Sequence, residues 1–329
     1  MKHIPVLKNE ILSCFDYLKD IQDVFFVDGT LGAGGHSIAI ANALETVNIK
    51  FNILGIDKDK NALELAADNL RKVELYDDFI LVHDDFKNIK EILDSILPHP
   101  ASPYKGEGHI DGALLDLGVS SMQLDQKDRG FSFTNLEAKL DMRMDQSQKL
   151  DAISVLNHYP EEKLEKILRE YGEEKFSRGI SKNICIMRRN KHVETVGDLV
   201  YVLEKSIPIK IQKTSRVHFA TKTFQAIRIE VNGELRDLKE SLVNFVDSLR
   251  PGARLAVVTF HSLEDRIVKN TFRDLASDCS CPENAPICNC NKVAQVSLIN
   301  KKPIIAEDEE IAINPRSRSA KLRIVEKLF

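Results

Sequence analysis

Short apolar runs rich in β-forming residues recur along the chain, and stretches of helical periodicity separate them. The runs predict strands at 24–28, 51–57, 79–83, 110–118 and 253–260, with late strands at 293–299 and 320–328. The periodic stretches predict helices near 35–44, 60–73 and 87–97. Because the early strands are continuously apolar and alternate with helices, we expect a parallel sheet that is covered by helices on both faces.

The pattern changes after Ser121, where residues 125–215 show helical periodicity and no convincing buried strand. We therefore predict an α/β fold whose open sheet is interrupted by a mainly helical insertion. The predicted domains are 1–124 and 216–329, which together form the core, and 125–215, which forms the insertion. One long apolar stripe predicts a single helix over 223–249.

Composition narrows the class of protein. The chain has 329 residues, of which 43% are hydrophobic and 29% charged, and this is typical of a soluble globular protein. The net charge of −4 excludes a uniformly basic binder of nucleic acid, but it leaves a local basic face open. No apolar run approaches the ~20 residues that span a bilayer. Lys8, Asn9 and Glu10 interrupt the start of the chain, so we expect no signal peptide and a cytoplasmic location.

A glycine-rich loop, VDGTLGAGGHS (27–37), joins the first predicted strand to the first helix. Gly32, Gly34 and Gly35 allow the backbone to approach a ligand closely, although a tight structural turn is the alternative. The dinucleotide pattern G-x-G-x-x-G fails, because Ser37 stands at its third glycine position. The loop therefore favours a nucleoside ligand other than a dinucleotide.

Carboxylates follow several of the predicted strands, where open α/β sheets bind ligands. They are Asp28, Asp57, Asp84 and Asp116. A diphosphate prefers helix N-terminal amides and cations, whereas S-adenosylmethionine has no phosphate and carries an ammonium and a sulfonium. The set of carboxylates thus favours S-adenosylmethionine over NAD. For any one of these residues, a helix N-cap or turn is the alternative.

Ten segments carry a resemblance to a known family. In chain order they are HIPVL (3–7), DGTLGAGGHS (28–37), GIDKD (55–59), LLDLGVSSMQLD (114–125), RGFSF (129–133), LDMRMD (140–145), YGEE (171–174), TFQAIRIEVNGEL (223–235), TFHSLEDRIVK (259–269) and NPRSRSAKLR (314–323). With them the chain resembles the RsmH (MraW) family of bacterial 16S rRNA cytosine-N4 methyltransferases.

The resemblance implies a Rossmann-like methyltransferase core with an inserted helical domain and S-adenosylmethionine as methyl donor. It implies a cytidine in the decoding region of 16S rRNA, within the small ribosomal subunit, as the acceptor at its N4 amine. The donor contacts that it implies are Ala33, Gly34, Gly35, His36, Asp57, Phe86, Asp116 and Gln123.

Two residues at strand ends are candidates for the chemistry of transfer. Asp116 follows the fourth strand and would bind the donor, accept the amine proton, or both. His261 follows the fifth strand as a second proton acceptor, with a structural hydrogen-bonding role as the alternative. Methylation at ring carbon 5 would need a cysteine nucleophile, and neither DLGVSS (116–121) nor TFHSLED (259–265) carries one.

The basic region of the sequence begins in the predicted insertion and extends past its end. Residues 175–228 hold 12 Lys or Arg against 3 Asp or Glu, which predicts a face that tracks RNA phosphates; a solvated helix surface is the alternative. Arg129, Phe131 and Phe133 could stack on an extruded base, or could pack in a core. Further candidate contacts are Arg316, Arg318 and Lys321. A homodimer is left open.

Four cysteines stand close together in CSCPENAPICNC (279–290), at positions 279, 281, 288 and 290. Four thiolates could form a zinc site, but the C-x-C spacing is tighter than the usual C-x2-C. Reduced thiols are the favoured interpretation, and we predict no metal in the active site.

Two other functions compete with methylation of rRNA. One is amino-methylation of DNA or a small amine by the same donor chemistry. The other is a non-catalytic ribosome-assembly factor that binds the nucleoside as a structural ligand. Transfer assays with several acceptors distinguish the three.

Overall fold

The computed structural model describes residues 4–96, 110–120, 123, 128–215, 217–279, 281 and 290–329. It contains two compact units. The first, here called the sheet unit, comprises Met1–Gly118 and Arg236–Phe329. The second, the helical unit, comprises Val119–Leu235.

The sheet unit is built on seven strands among its described residues. They are β1 (Asp23–Asp28), β2 (Lys50–Asp57), β3 (Phe79–His83), β4 (Ile110–Asp116), β5 (Leu249–Thr259), β6 (Val296–Leu298) and β7 (Lys321–Lys327). Their order is β3-β2-β1-β4-β5-β7-β6. Neighbours from β3 to β5 pair in parallel, and β7 pairs antiparallel with both β5 and β6. The predicted α/β fold with a parallel sheet is confirmed.

Helices lie between the strands and make up most of the helical unit. Before the helical unit come α1 (Lys8–Cys14), α2 (Gly35–Glu45), α3 (Lys60–Lys72) and α4 (Ile89–Ile96). Within it are α5 (Ala152–His158), α6 (Glu161–Glu170), α7 (Ser177–Met187), α8 (Val196–Ser206), α9 (Ile209–Thr214) and α10 (Thr221–Asn232). After it come α11 (Leu238–Ser248), α12 (Ser262–Leu275) and α13 (Asp308–Ile313). Short 3-10 helices cover Asp16–Asp20, Tyr76–Asp78, Phe86–Asn88 and Pro315–Ser319.

Local sequence explains why these elements form where they do. In α3 the stripe of Leu63, Ala66 and Leu70 is buried, and the Asp59 carboxylate caps the helix by accepting a hydrogen bond from Asn61 N at 3.1 Å. Apolar side chains of β1 and β2 are buried, which is typical of a sheet covered by helices. The carboxyl ends of β1 to β5 meet at one edge of the sheet, and this edge positions the candidate site.

The predicted single helix over 223–249 is wrong. Helix α10 ends at Asn232, and Gly233 then adopts a left-handed conformation with φ of 59°. Each half of the apolar stripe serves a different unit, because Phe224 and Ile227 pack in the core of the helical unit, whereas Leu242 and Phe245 are buried in the sheet unit. The helical unit of the structure comprises Val119–Leu235, and the predicted insertion, 125–215, lies within it.

No helix among the described residues combines the length and the apolar character that a membrane span requires.

Candidate active site

The glycine loop turns the chain from β1 into α2. Gly34 has φ of 80° and precedes the first residue of α2, a backbone conformation that residues with a Cβ rarely adopt. At Gly35 space is the constraint, since a Cβ there would lie 2.8 Å from Pro5 Cγ. Pro5 belongs to the HIPVL segment, so this N-terminal motif supports the loop.

Asp28 organises the loop from inside. Its side chain is buried, its Oδ2 accepts a hydrogen bond from Ser37 Oγ at 2.6 Å, and its Oδ1 accepts one from Thr30 N at 3.1 Å. Burial raises the pKa of Asp28 to about 6, because a charged carboxylate is poorly solvated there. Asp28 therefore shapes the site rather than facing a ligand.

Asp57 ties the end of β2 to the same loop. Its Oδ2 accepts a hydrogen bond from Gly32 N, and its Oδ1 accepts one from Asp59 N, both at 2.8 Å. Burial raises the pKa of Asp57 above the usual range, while these two hydrogen bonds oppose that change. A ribose hydroxyl could still donate to this carboxylate, because each oxygen has a second lone pair.

The end of β3 lies beside the end of β2. Asp84 N donates to Asp57 O at 3.2 Å, and Asn88 Nδ2 donates to Asp84 Oδ1 at 2.7 Å. Phe86 follows in the next turn as a half-buried ring, with its centroid 6.4 Å from that of Phe245. The fold thus places an aromatic face next to the Asp57 segment, where an adenine ring could pack.

Asp116 ends β4 in surroundings that disfavour its charged form. Its backbone N donates to Thr30 Oγ1 at 2.6 Å, and its Oδ2 lies 3.7 Å from His36 Nε2. No described residue donates a hydrogen bond to its buried Oδ1. Burial, and then the nearby carboxylates of Asp28 and Glu264, raise the pKa of Asp116 to about 8. A cation or an N–H donor at this carboxylate would offset much of that cost.

His261 caps α12. Its Nδ1 accepts a hydrogen bond from Glu264 N at 3.4 Å, and its Nε2 lies 3.1 Å from Glu264 Oε1. Glu264 Oε2 in turn accepts from Phe260 N at 2.9 Å and from His261 N at 3.3 Å, which completes a capping box. His261 Nδ1 thus serves the helix cap, and this favours the structural alternative, whereas the buried Nε2 makes no hydrogen bond to the described residues.

Glu264 is the residue that sequence reasoning missed. It is buried, it caps α12, and its charge contributes to the raised pKa of Asp116. The signal was present in the sequence, because a Glu three residues after a capping residue is the spacing of a capping box.

The sheet unit thus brings together the predicted site residues on the glycine loop and on the ends of β2 to β5. They are Ala33, Gly34, Gly35, His36, Asp57, Phe86, Asp116 and His261. Gln123 belongs to the helical unit, where its Oε1 accepts from Ser120 N at 3.0 Å and its backbone N donates to Ser120 Oγ at 3.2 Å. Met122 and Leu124, on either side of it, lie outside the described residues.

Of the three residues predicted to stack on a base, Arg129 and Phe131 are buried in the helical unit. Arg129 is buried and donates to Arg143 O at 2.6 Å and to Met144 O at 2.9 Å. Phe131 is buried in the unit's core, so the packing alternative describes it. Phe133 is half-buried and stacks on His218, with ring centroids 4.3 Å apart.

Much of the basic region reaches the surface. Among the described residues between 175 and 228, the exposed Lys and Arg are Lys175, Arg178, Lys182, Arg189, Lys191, Lys205, Lys210 and Lys213. Of these, Lys191 pairs with Asp198 at 2.6 Å. In the predicted second patch, Arg316 and Arg318 are exposed, whereas Lys321 pairs with Asp265 at 3.0 Å.

The family profile and the curated relatives of this chain indicate one family. The profile of the MraW methylase family matches residues 1–328. A relative from Clostridioides difficile named ribosomal RNA small subunit methyltransferase H is 46% identical over 326 residues, covering 99% of both chains. One of the same name from Finegoldia magna is 41% identical over 328 residues, covering 100% of this chain and 99% of that protein. The O-methyltransferase TomG from Streptomyces achromogenes, solved in complex with SAM, aligns at a TM-score of 0.43 and 10% identity, covering 100% of this chain and 84% of that one.

Proposed function

Since the chain belongs to the MraW methylase family, we propose that it methylates the exocyclic N4 amine of a cytidine in the decoding region of 16S rRNA. The acceptor class follows from the name of the curated relatives, which are rRNA small subunit methyltransferases. The position on the base and the nucleotide follow from the resemblance of the motifs. The small ribosomal subunit is the proposed partner.

The observation that carries the proposal is the Asp116 carboxylate. It stands at the edge of the sheet where α/β folds bind ligands, with one buried oxygen that accepts no hydrogen bond from the described residues. A buried carboxylate oxygen is costly to ionise unless it meets a cation or a donor. An amine that loses a proton and a cationic methyl donor are two such partners.

S-adenosylmethionine fits the residues around this carboxylate. The glycine loop, with Ala33, Gly34 and Gly35, supplies backbone that a ligand can approach closely. We assign Asp57 to the ribose hydroxyls and Phe86 to the adenine ring. His36 and Asp116 lie beside the same loop. Gln123 is included among the donor contacts on the family motif alone. When bound, the donor supplies an electrophilic methyl group on a positively charged sulfur.

The chain's own contribution to the chemistry is positioning and proton acceptance. The N4 lone pair of cytosine is delocalised into the ring, so the amine is a weak nucleophile. Holding it in line with the methyl group supplies up to ~7–11 kcal/mol in favourable cases. Asp116 then accepts the N–H hydrogen bond that strengthens as the nitrogen becomes positive. Its raised pKa of about 8 suits a group that takes up this proton near neutral pH.

His261 is assigned to the structure rather than to the proton transfer. Its ring is held by Glu264 at the start of α12, as described above. His261→Asn, which keeps a side chain that caps helices well, is therefore expected to retain activity within about tenfold.

A transfer assay with labelled S-adenosylmethionine tests the proposal. The acceptors are small ribosomal subunits, free 16S rRNA, DNA and small amines, and the products are digested to nucleosides and separated. We expect label in N4-methylcytidine from the subunit sample. Asp116→Ala should reduce transfer by at least about 100-fold while its circular dichroism spectrum remains that of the unaltered chain. Label in 5-methylcytidine or in DNA, or tight donor binding without any transfer, would contradict the proposal.

A further inference from the structure

We propose that Cys279, Cys281 and Cys290 bind a zinc ion that ties the end of α12 to the start of β6. Cys279 follows α12, which ends at Leu275, and Cys290 precedes β6, which begins at Val296. The ion would lie in the sheet unit, and neither the donor site nor methyl transfer uses these thiols.

The distances between the sulfur atoms suit a metal. The Sγ atoms of the three residues all lie within 4.8 Å of one another, and those of Cys279 and Cys290 are 3.9 Å apart. A disulfide would need a separation of about 2.05 Å. Four sulfurs at about 2.3 Å from a tetrahedral zinc ion lie roughly 3.8 Å from one another. The observed pair is therefore spaced as two thiolate ligands of one ion are.

Backbone and side-chain hydrogen bonds shape the thiol cluster. Ser277 Oγ donates to Cys279 O at 2.6 Å and accepts from Cys279 N at 3.2 Å. Cys281 N donates to Cys279 Sγ at 3.4 Å. These hydrogen bonds fix the positions of Cys279 and Cys281 relative to each other.

The two flanks of the cluster are joined independently of any metal. Gln295 N donates to Leu275 O at 2.8 Å, and Lys292 Nζ lies 2.6 Å from Asp274 Oδ1. These interactions bring the two cysteine-bearing segments together before an ion binds, so little ordering is left for the ion to drive. The three cysteines are half-buried, which leaves them accessible to an ion.

The donor set favours a soft metal ion. Thiolates are soft ligands, and they select zinc over magnesium or calcium. A structural zinc site is four-coordinate, so a fourth ligand would complete the three thiolates. Cys288, the remaining cysteine of the sequence pattern, lies outside the described residues.

Elemental analysis of the untagged full-length chain, purified without chelator, tests the proposal. We expect about one zinc per chain, and less than about a tenth of that in Cys279→Ser and in Cys290→Ser. Cys185→Ala is the matched control, because Cys185 is buried in the core of the helical unit, and it should keep its zinc. Zinc that persists in both serine variants would overturn the proposal, as would iron in its place.

Two measurements on the unaltered chain test the proposal even if the cysteine variants fail to fold. Replacing zinc by Co²⁺ should give the visible absorption of tetrahedral cobalt with thiolate ligands, and a chelator should lower the melting temperature. If the chain is isolated without zinc, takes up no cobalt with this spectrum and melts at the same temperature in chelator, these cysteines are not a metal site.

Discussion

Asp116 and Asp28 are two acids that the fold places where their charges are disfavoured. Their pKa values rise to about 8 and about 6, from an ordinary value of 3.8. Between the ordinary pKa and each raised pKa, the folded chain keeps a proton on the carboxyl group, whereas the unfolded chain has released it. Folding stability from these groups is therefore fully present at low pH, below about 4, and is lost as the pH rises through about 6 and about 8. Ionised acids at the candidate site therefore lower the stability of the folded chain.

Asp116→Asn tests this at the level of one residue. The variant cannot ionise, so it should become more stable than the unaltered chain by an amount that grows with pH. Since each pKa unit corresponds to about 1.4 kcal/mol, we expect on the order of 2–4 kcal/mol more at pH 9 than at pH 5. Urea unfolding of the ligand-free chain at both values measures the difference.

The exposed Asp68 supplies the control for that experiment. It pairs with Arg71 on the surface of α3, so Asp68→Asn should change stability by less than about 1 kcal/mol at either pH. An equal effect of Asp116→Asn at pH 5 and pH 9 would show that its charge is not disfavoured by the fold.

Helices α10 and α11 show where periodicity alone fails. An apolar stripe runs from Phe224 to Leu249, and the spacing is helical throughout. The stripe does not reveal that its halves pack in different units, since burial partners are distant in sequence. The Asn232–Gly233 pair was the local signal of the break, because Gly commonly follows the last residue of a helix in a left-handed conformation.

Two glycine substitutions with opposite expected effects on stability test the assigned backbone conformations. Gly233→Ala should destabilise the protein by about 1 kcal/mol, because alanine disfavours the positive φ found there. Gly179→Ala should stabilise it by about 0.5–1 kcal/mol, since Gly179 is exposed within α7 and a Cβ there meets nothing closer than 4.0 Å. Denaturant midpoints that move in the same direction for both variants would contradict the assigned helix end.

Strand ends were the easiest part of the site to predict. Asp57 and Asp116 follow apolar runs, and parallel strands bring such ends to one edge. The carboxylates that raise the pKa of Asp116 in addition to burial, Asp28 and Glu264, come from other segments, so this raised pKa could not be predicted from the local sequence. The sequence also could not show that Arg129 and Phe131 pack inside the helical unit, because packing and base stacking call for the same residue types.

At the scale of the whole molecule, charge is unevenly distributed. The chain carries a net charge of −4, yet the region 175–228 carries a large excess of Lys and Arg, most of it exposed. Such a face attracts phosphates at low ionic strength and releases counterions when they bind. The proposed RNA substrate gives this distribution a use, while the acidic remainder limits nonspecific binding.

Lys210→Ala with Lys213→Ala tests that face. Both side chains are exposed on α9. Affinity for small subunits should fall, and the slope of log affinity against log salt should decrease by about one for each phosphate that the variant no longer neutralises. Donor affinity should stay unchanged. Lys60→Ala, exposed in the sheet unit, is the control and should leave the slope as it is. An unchanged slope in the double variant would place the RNA elsewhere.

Mass mapping of 16S rRNA tests the central claim most directly. The rRNA comes from cells that lack this protein and carry either the unaltered chain, Asp116→Asn, or no copy. We predict one N4-methylcytidine in the decoding region that is present only with the unaltered chain. The same modification in all three samples, or the loss of a methyl group from a ring carbon or another nucleotide, would contradict the account.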